Sequence, residues 1–129
     1  MPRDLGLTAL STLSRLERAG PQRLTDLARV ERVAQPSMTT LVTNLERSGY
    51  AERKRGHNDG RVTLVAITRR GSAFLAERRQ AGAAVLDGLI AQLSDDDRAA
   101  LVAAAPAIDR LRALVARQRD QATAEGASQ

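Results

Sequence analysis

Cysteine is absent from this chain and histidine occurs once. Without thiols there can be no disulfide, no thiol redox sensor and no cysteine-ligated zinc. One imidazole cannot build a histidine-rich metal site, so neither a metal nor a cofactor is expected. Tryptophan is missing and aromatics make up only 2% of the residues, against 43% hydrophobic. Any core must therefore be aliphatic, built from Leu, Val, Ile and Ala. Lysine occurs once, at Lys54, so arginine carries the formal net charge of +5. The planar guanidinium is the better fork for phosphates and guanine edges. Positive charge favours a polyanionic partner, but by itself does not choose between nucleic acid and an anionic membrane. No apolar run approaches a signal peptide or a membrane span. The expectation is a soluble, cytoplasmic protein with no membrane partner, and 129 residues suit one domain.

What is present centres on residues 35–61, QPSMTTLVTNLERSGYAERKRGHNDGR. Met38, Leu41, Val42 and Leu45 recur at i, i+3, i+4 and i+7, so they share one helix face. The opposite face carries Ser37, Thr40, Thr43, Asn44 and Arg47. Apart from Arg47 these side chains are short, neutral and able to donate or accept. A helix entering a major groove needs such a face, because long or acidic side chains would hold it off the base edges. Pro36 fits the first turn and Gly49 the left-handed position beyond the end. An ordinary surface helix would also have a polar outside, so the flanks must decide. Residues 50–55 read as a weak strand, residues 56–60 as a dense turn cluster, and residues 62–67 as a β-branched returning strand. The pair makes a hairpin whose tip carries Arg55, His57 and Arg61.

Before this stretch, residues 7–19 read as a helix with Leu7, Leu10, Leu13 and Leu16 on one side, stopped by Gly20-Pro21. Residues 24 to about 32 form a shorter helix with Leu24, Leu27 and Ala28 turned inward. The Val33-Ala34 turn then gives helix-turn-helix spacing. After it, Thr68 caps a long helix over residues 69–92, with Leu75, Gly82, Leu86, Leu89, Ile90 and Leu93 on its apolar side. Ser94 caps another over residues 94–118, lined by Leu101, Val102, Ile108, Leu111, Leu114 and Val115. Pro106 should kink or break it. The tail, residues 121–129, is expected to be disordered. The last two helices carry more apolar surface than one small head needs. Either a second copy covers it or both helices fold back on the head.

No catalytic constellation is present, and an enzyme is not expected. No motif sets a hydroxyl or carboxylate beside His57, and the glycines follow no phosphate-loop pattern. Asp95-Asp96-Asp97 reads better as helix-capping acids than as a cation site.

Four segments together resemble the multiple-antibiotic-resistance regulator (MarR) family of bacterial transcription factors. LTDLARVERVAQPSMTTLVTNLERSGY resembles its helix-turn-helix, HNDGRVTLVAIT its wing, TRRGSAFL the start of its linking helix, and LSDDDRAAL the start of its last dimerisation helix. The chain departs from the family pattern at Arg32, where a glycine is often found, and at Ala34, where Ser or Thr often caps. Pro106 is a third departure, and a further N-terminal helix usual in the family is not matched. The resemblance implies a mainly α fold with a small β-hairpin wing. It implies a winged helix-turn-helix lobe over residues 1–68 and a helical dimerisation region over residues 69–120. It also implies a homodimer on a pseudo-palindromic operator, usually a repressor released by a small organic effector held between lobe and base. Double-stranded DNA would be contacted by Gln35, Pro36, Ser37, Thr39, Thr40, Thr43 and Asn44 on the helix. On the hairpin the contacts would be Arg53, Arg55, His57, Asp59 and Arg61. Arg61 would enter the minor groove, steadied by Asp59. The competing expectation is a winged-helix protein-interaction module that never touches DNA.

Overall fold

The computed structural model describes residues 5–56 and 60–127, with the side chains of residues 123 and 127 left aside. The chain divides into two compact units, Met1–Ala81 and Gly82–Gln129.

The first unit opens with α1, Leu7–Ala19. Leu13 and Leu16 are fully buried and Leu10 partly so. Leu7 differs from expectation: it is 87% exposed, so the inward side starts one turn later. Thr12 is buried among the leucines and satisfies its hydroxyl on the Thr8 carbonyl at 2.8 Å. Gly20 ends the helix at φ 82°. Next, α2 spans Leu24–Glu31 and buries Leu27 and Ala28. Arg32 follows in the left-handed region, φ 56° and ψ 44°. The Val33 N–H then reaches the Ala28 carbonyl at 3.0 Å and closes the turn. A glycine would adopt this conformation without a Cβ penalty; here an arginine holds it.

The third helix, α3, is Gln35–Arg47. Pro36 lies in its first turn, and Ala34 offers no side-chain cap. Met38, Val42 and Leu45 are buried to 0–1% exposure, as their spacing predicts. Gly49, at φ 79°, turns the chain, and the Tyr50 N–H returns to the Leu45 carbonyl at 2.9 Å.

Three strands complete the lobe: β1 (Gln22–Arg23), β2 (Ala51–Arg55) and β3 (Thr63–Ile67), antiparallel in the order β1-β3-β2. The hairpin was expected; β1 was not. Ala51 pairs with Ile67 and Arg55 with Thr63, which sets the hairpin register. Ala51 and Val65 face the core. The Tyr50 and Phe74 rings stack at its edge with centroids 4.6 Å apart.

Thr68 joins three elements. Its N–H donates to the Tyr50 carbonyl at 3.1 Å, its hydroxyl donates to the Gly49 carbonyl, and the same oxygen accepts from the Gly71 N–H at 3.0 Å. The last bond is the expected helix cap of α4, Arg69–Ile90. Gly71 lies so close to Tyr50 that an added Cβ would stand 2.2 Å from its carbonyl oxygen. Leu75 is buried, so the first turns of α4 belong to the lobe. The boundary expected after residue 68 thus falls inside the first compact unit.

In the second unit the Ser94 hydroxyl accepts from the Asp97 N–H at 3.1 Å, and three aspartates occupy the first turn of α5, Asp95–Ala127. Two expectations are corrected. Pro106 does not break the helix, and the helix continues past residue 121 to Ala127, where a disordered tail was expected. Val85, Leu86, Leu89, Val102, Ile108, Leu111 and Leu114 are all more than half exposed. Among the described residues no helix is long and apolar enough to cross a membrane.

Candidate nucleic-acid interface

The α3 helix buries one face and offers the other. Gln35, Pro36, Ser37, Thr39, Thr40, Asn44 and Arg47 are exposed, while Thr43 is half-buried. All three threonines turn their hydroxyls back onto the helix. Thr39 donates to the Gln35 carbonyl at 3.0 Å, Thr40 to Pro36 at 3.1 Å and Thr43 to Thr39 at 2.9 Å. Such back-bonding competes with water and fixes the rotamer.

Arg53 has a role the sequence did not suggest. It is engaged by α3: its backbone N–H donates to Glu46 Oε2 at 3.3 Å, its guanidinium forms an ion pair with the same carboxylate, and Nη2 donates to Thr43 Oγ1 at 3.2 Å. The side chains of Arg53 and Glu46 are about two-thirds covered. The cluster ties the outward helix to the first strand of the wing. Glu46 was missed because it counted only as part of a helix ending. Its partner is seven residues on, and the turn at Gly49, which folds β2 back against α3, brings the two together. The neighbouring Lys54–Glu52 pair, at 3.1 Å, is exposed and contributes little.

The wing continues as expected on the described side. Arg55 is exposed at the end of β2, and the Gly56 N–H extends the ladder to the Val62 carbonyl at 2.8 Å. Arg61 is exposed in the turn before β3. His57 and Asp59 lie outside the described residues, and the expected Asp59–Arg61 pairing with them. Among the described residues no cluster of acids and histidine could hold a metal ion.

Helix, turn, helix, wing and linking helix follow in this order, and the MarR family model matches residues 5–63. An HTH-type transcriptional regulator of Mycobacterium leprae is 33% identical over 94 residues, covering 73% of this chain and 66% of that protein. Another, from Mycobacterium bovis, is 33% identical over 101 residues, covering 78% of this chain and 71% of the relative. The chain belongs to the MarR family. Family and relatives are transcriptional regulators rather than enzymes. Solved structures agree in fold. A transcriptional regulator from Thermotoga maritima superposes with a TM-score of 0.71 at 21% identity, covering 88% of this chain and 78% of that one. FabT of Streptococcus pneumoniae, solved in complex with DNA, gives 0.58 at 21% identity, with 88% and 79% covered.

The MarR lobe also carries a cavity of about 1060 Å³ beside the outward face of α3. Leu41, Leu45 and Tyr50 supply apolar walls, and Arg47 and Arg70 border it. The Arg70 guanidinium lies 5.8 Å from the Tyr50 ring centroid, a cation–π contact that holds it at the rim.

Proposed function

We propose that this MarR-family chain is a sequence-specific DNA-binding regulator, acting as a ligand-released repressor on a pseudo-palindromic operator as a homodimer. The observation that carries the reading is the coupling, through Arg53, of an exposed short-sided helix face to an arginine-bearing hairpin. A face without long or acidic exposed side chains over Gln35 to Asn44 can approach base edges in a major groove. Arg55 and Arg61 then meet the phosphates and the adjacent minor groove, where arginine is favoured over narrow A·T-rich steps. Asp59 would steady Arg61 by a charge-assisted pair, and His57 would add a phosphate or base contact. That FabT, with the same fold, was solved on DNA supports this use of the lobe.

The dimer rests on the exposed leucines, valines and isoleucine of α4 and α5. So many exposed large apolar side chains on two helices call for a partner in water, and a second copy of the chain supplies one. The effector reading rests on the cavity at Tyr50. Apolar walls, one aromatic ring and two bordering arginines suit a small organic anion, and its neighbour α3 would feel its binding.

A mobility-shift assay on the DNA upstream of the protein's own coding region tests the proposal. A retarded band competed by the same duplex, but not by a scrambled one, is expected. Aromatic carboxylic acids should release it. A protein that shifts no duplex at micromolar concentration is instead an interaction module.

A further inference from the structure

The threonines of α3 have committed their hydroxyl protons to the helix itself. A hydroxyl has one proton to donate. In Thr39, Thr40 and Thr43 that proton goes to the carbonyl four residues back. Thr43 also accepts from Arg53, so both directions of its hydroxyl are in use. Without breaking these bonds, none of the three can donate to a guanine O6 or N7, an adenine N7 or a thymine O4. What Thr39 and Thr40 still offer is an acceptor lone pair, which suits adenine N6, and a methyl group; Thr43, already accepting from Arg53, offers chiefly its methyl. The rest of the face fits the same pattern. Over residues 35–46 it contains no arginine and no lysine, the side chains that read guanine bidentately; its one arginine, Arg47, stands in the last turn of the helix, away from the leading turns. It does contain Gln35 and Asn44, both exposed, and a carboxamide matches adenine N6 and N7. Thymine, opposite adenine, projects its 5-methyl into the major groove.

Resting on the DNA-binding reading above, we infer that the methyl groups of Thr39, Thr40 and Thr43 determine specificity by packing on thymine methyls, so that the major-groove half-site is built on A·T pairs. The Arg53–Glu46 cluster is a positioning device in this scheme, since it locks the Thr43 rotamer.

The test uses the full chain and a duplex enriched by it from a random-sequence DNA pool. That duplex is synthesised twice, once with thymine and once with deoxyuridine, which keeps Watson–Crick pairing and lacks only the methyl. Affinity is read by fluorescence anisotropy. The wild-type protein should bind the uracil duplex about fourfold more weakly for each contacted methyl removed. Thr39→Ser, Thr40→Ser and Thr43→Ser keep the hydroxyl and lose the methyl; each should lower the thymine-to-uracil ratio. Thr39→Val and Thr40→Val keep the shape and the methyls, and should preserve it. Equal binding of both duplexes by the wild type overturns the inference, as does an enriched site dominated by G·C pairs. A ratio unchanged in all three serine variants also overturns it, and so does loss of discrimination in the valine variants. If the pool yields no enriched duplex, the DNA-binding reading itself falls, and this inference with it.

Discussion

At the scale of single residues, the decisive contact is between Glu46 and Arg53. An acid next to a DNA-facing surface repels phosphate, so removing it should tighten DNA binding if electrostatics alone mattered. Here the carboxylate holds Arg53 by backbone and guanidinium together, and Arg53 holds Thr43. Glu46→Ala should therefore weaken specific DNA binding while costing only about 1 kcal/mol or less of stability, because the pair is about one-third exposed. Anisotropy titration beside urea unfolding checks both halves. Tighter binding would mean that Arg53 is an ordinary phosphate contact which Glu46 restrains. A second residue, Gly71, answers to packing. A Cβ there would stand 2.2 Å from a backbone oxygen. Gly71→Ala should destabilise the lobe by roughly 1–3 kcal/mol, through overpacking against a carbonyl that cannot rotate away. Unchanged unfolding would show that α4 does not seat against Tyr50 as described. Neither residue stands out in the sequence. Arg53 looks like one more wing arginine, and Gly71 like a weak point in a helix. Both acquire meaning only in the folded lobe, where the turn at Gly49 lays β2 against α3 and Tyr50 meets the start of α4.

At the scale of elements, local rules account for the helices and miss the tertiary pairings. Leu7–Ala19 and the start of α3 at Gln35 were readable from apolar period and punctuation, as were the Thr68 and Ser94 caps. β1 was not, because Gln22–Arg23 is too short to alternate and exists only by pairing with β3. Pro106 removes one helix hydrogen bond, yet Ala103 to Ala105 before it and Leu111 to Leu114 after it are mostly strong helix formers. The local penalty therefore does not end α5. The same alanine content carries the helix as far as Ala127, into the region expected to be disordered. Of the candidate interface, the polar face of α3 was legible and is exposed except at the half-buried Thr43. The wing was legible only as a hairpin, since its tip departs from periodic rules. Arg61, exposed in that tip, is the element's test. Arg61→Ala should weaken specific and non-specific DNA by similar factors and flatten the salt slope by about one unit per subunit. Measured slopes with the two proteins on the same duplex decide it; an unchanged slope removes Arg61 from the phosphate contacts.

At the scale of the whole molecule, the surplus apolar surface of α4 and α5 calls for a second copy. Light scattering at micromolar concentration should give the mass of two chains, and Leu111→Glu with Leu114→Glu should give one, since buried unpaired carboxylates are costly. A clean wild-type monomer would remove the two-half-site operator. With a dimer, paired α3 helices should sit about one DNA turn apart, roughly 34–36 Å. The most direct measurement of the central claim is an anisotropy titration of the enriched duplex and of its scrambled counterpart across a series of salt concentrations. The enriched duplex should bind two chains and bind them more tightly. Affinity should fall with salt at a slope of about −0.9 per phosphate contacted. Equal affinity for the two duplexes, or binding that ignores salt, would contradict the account.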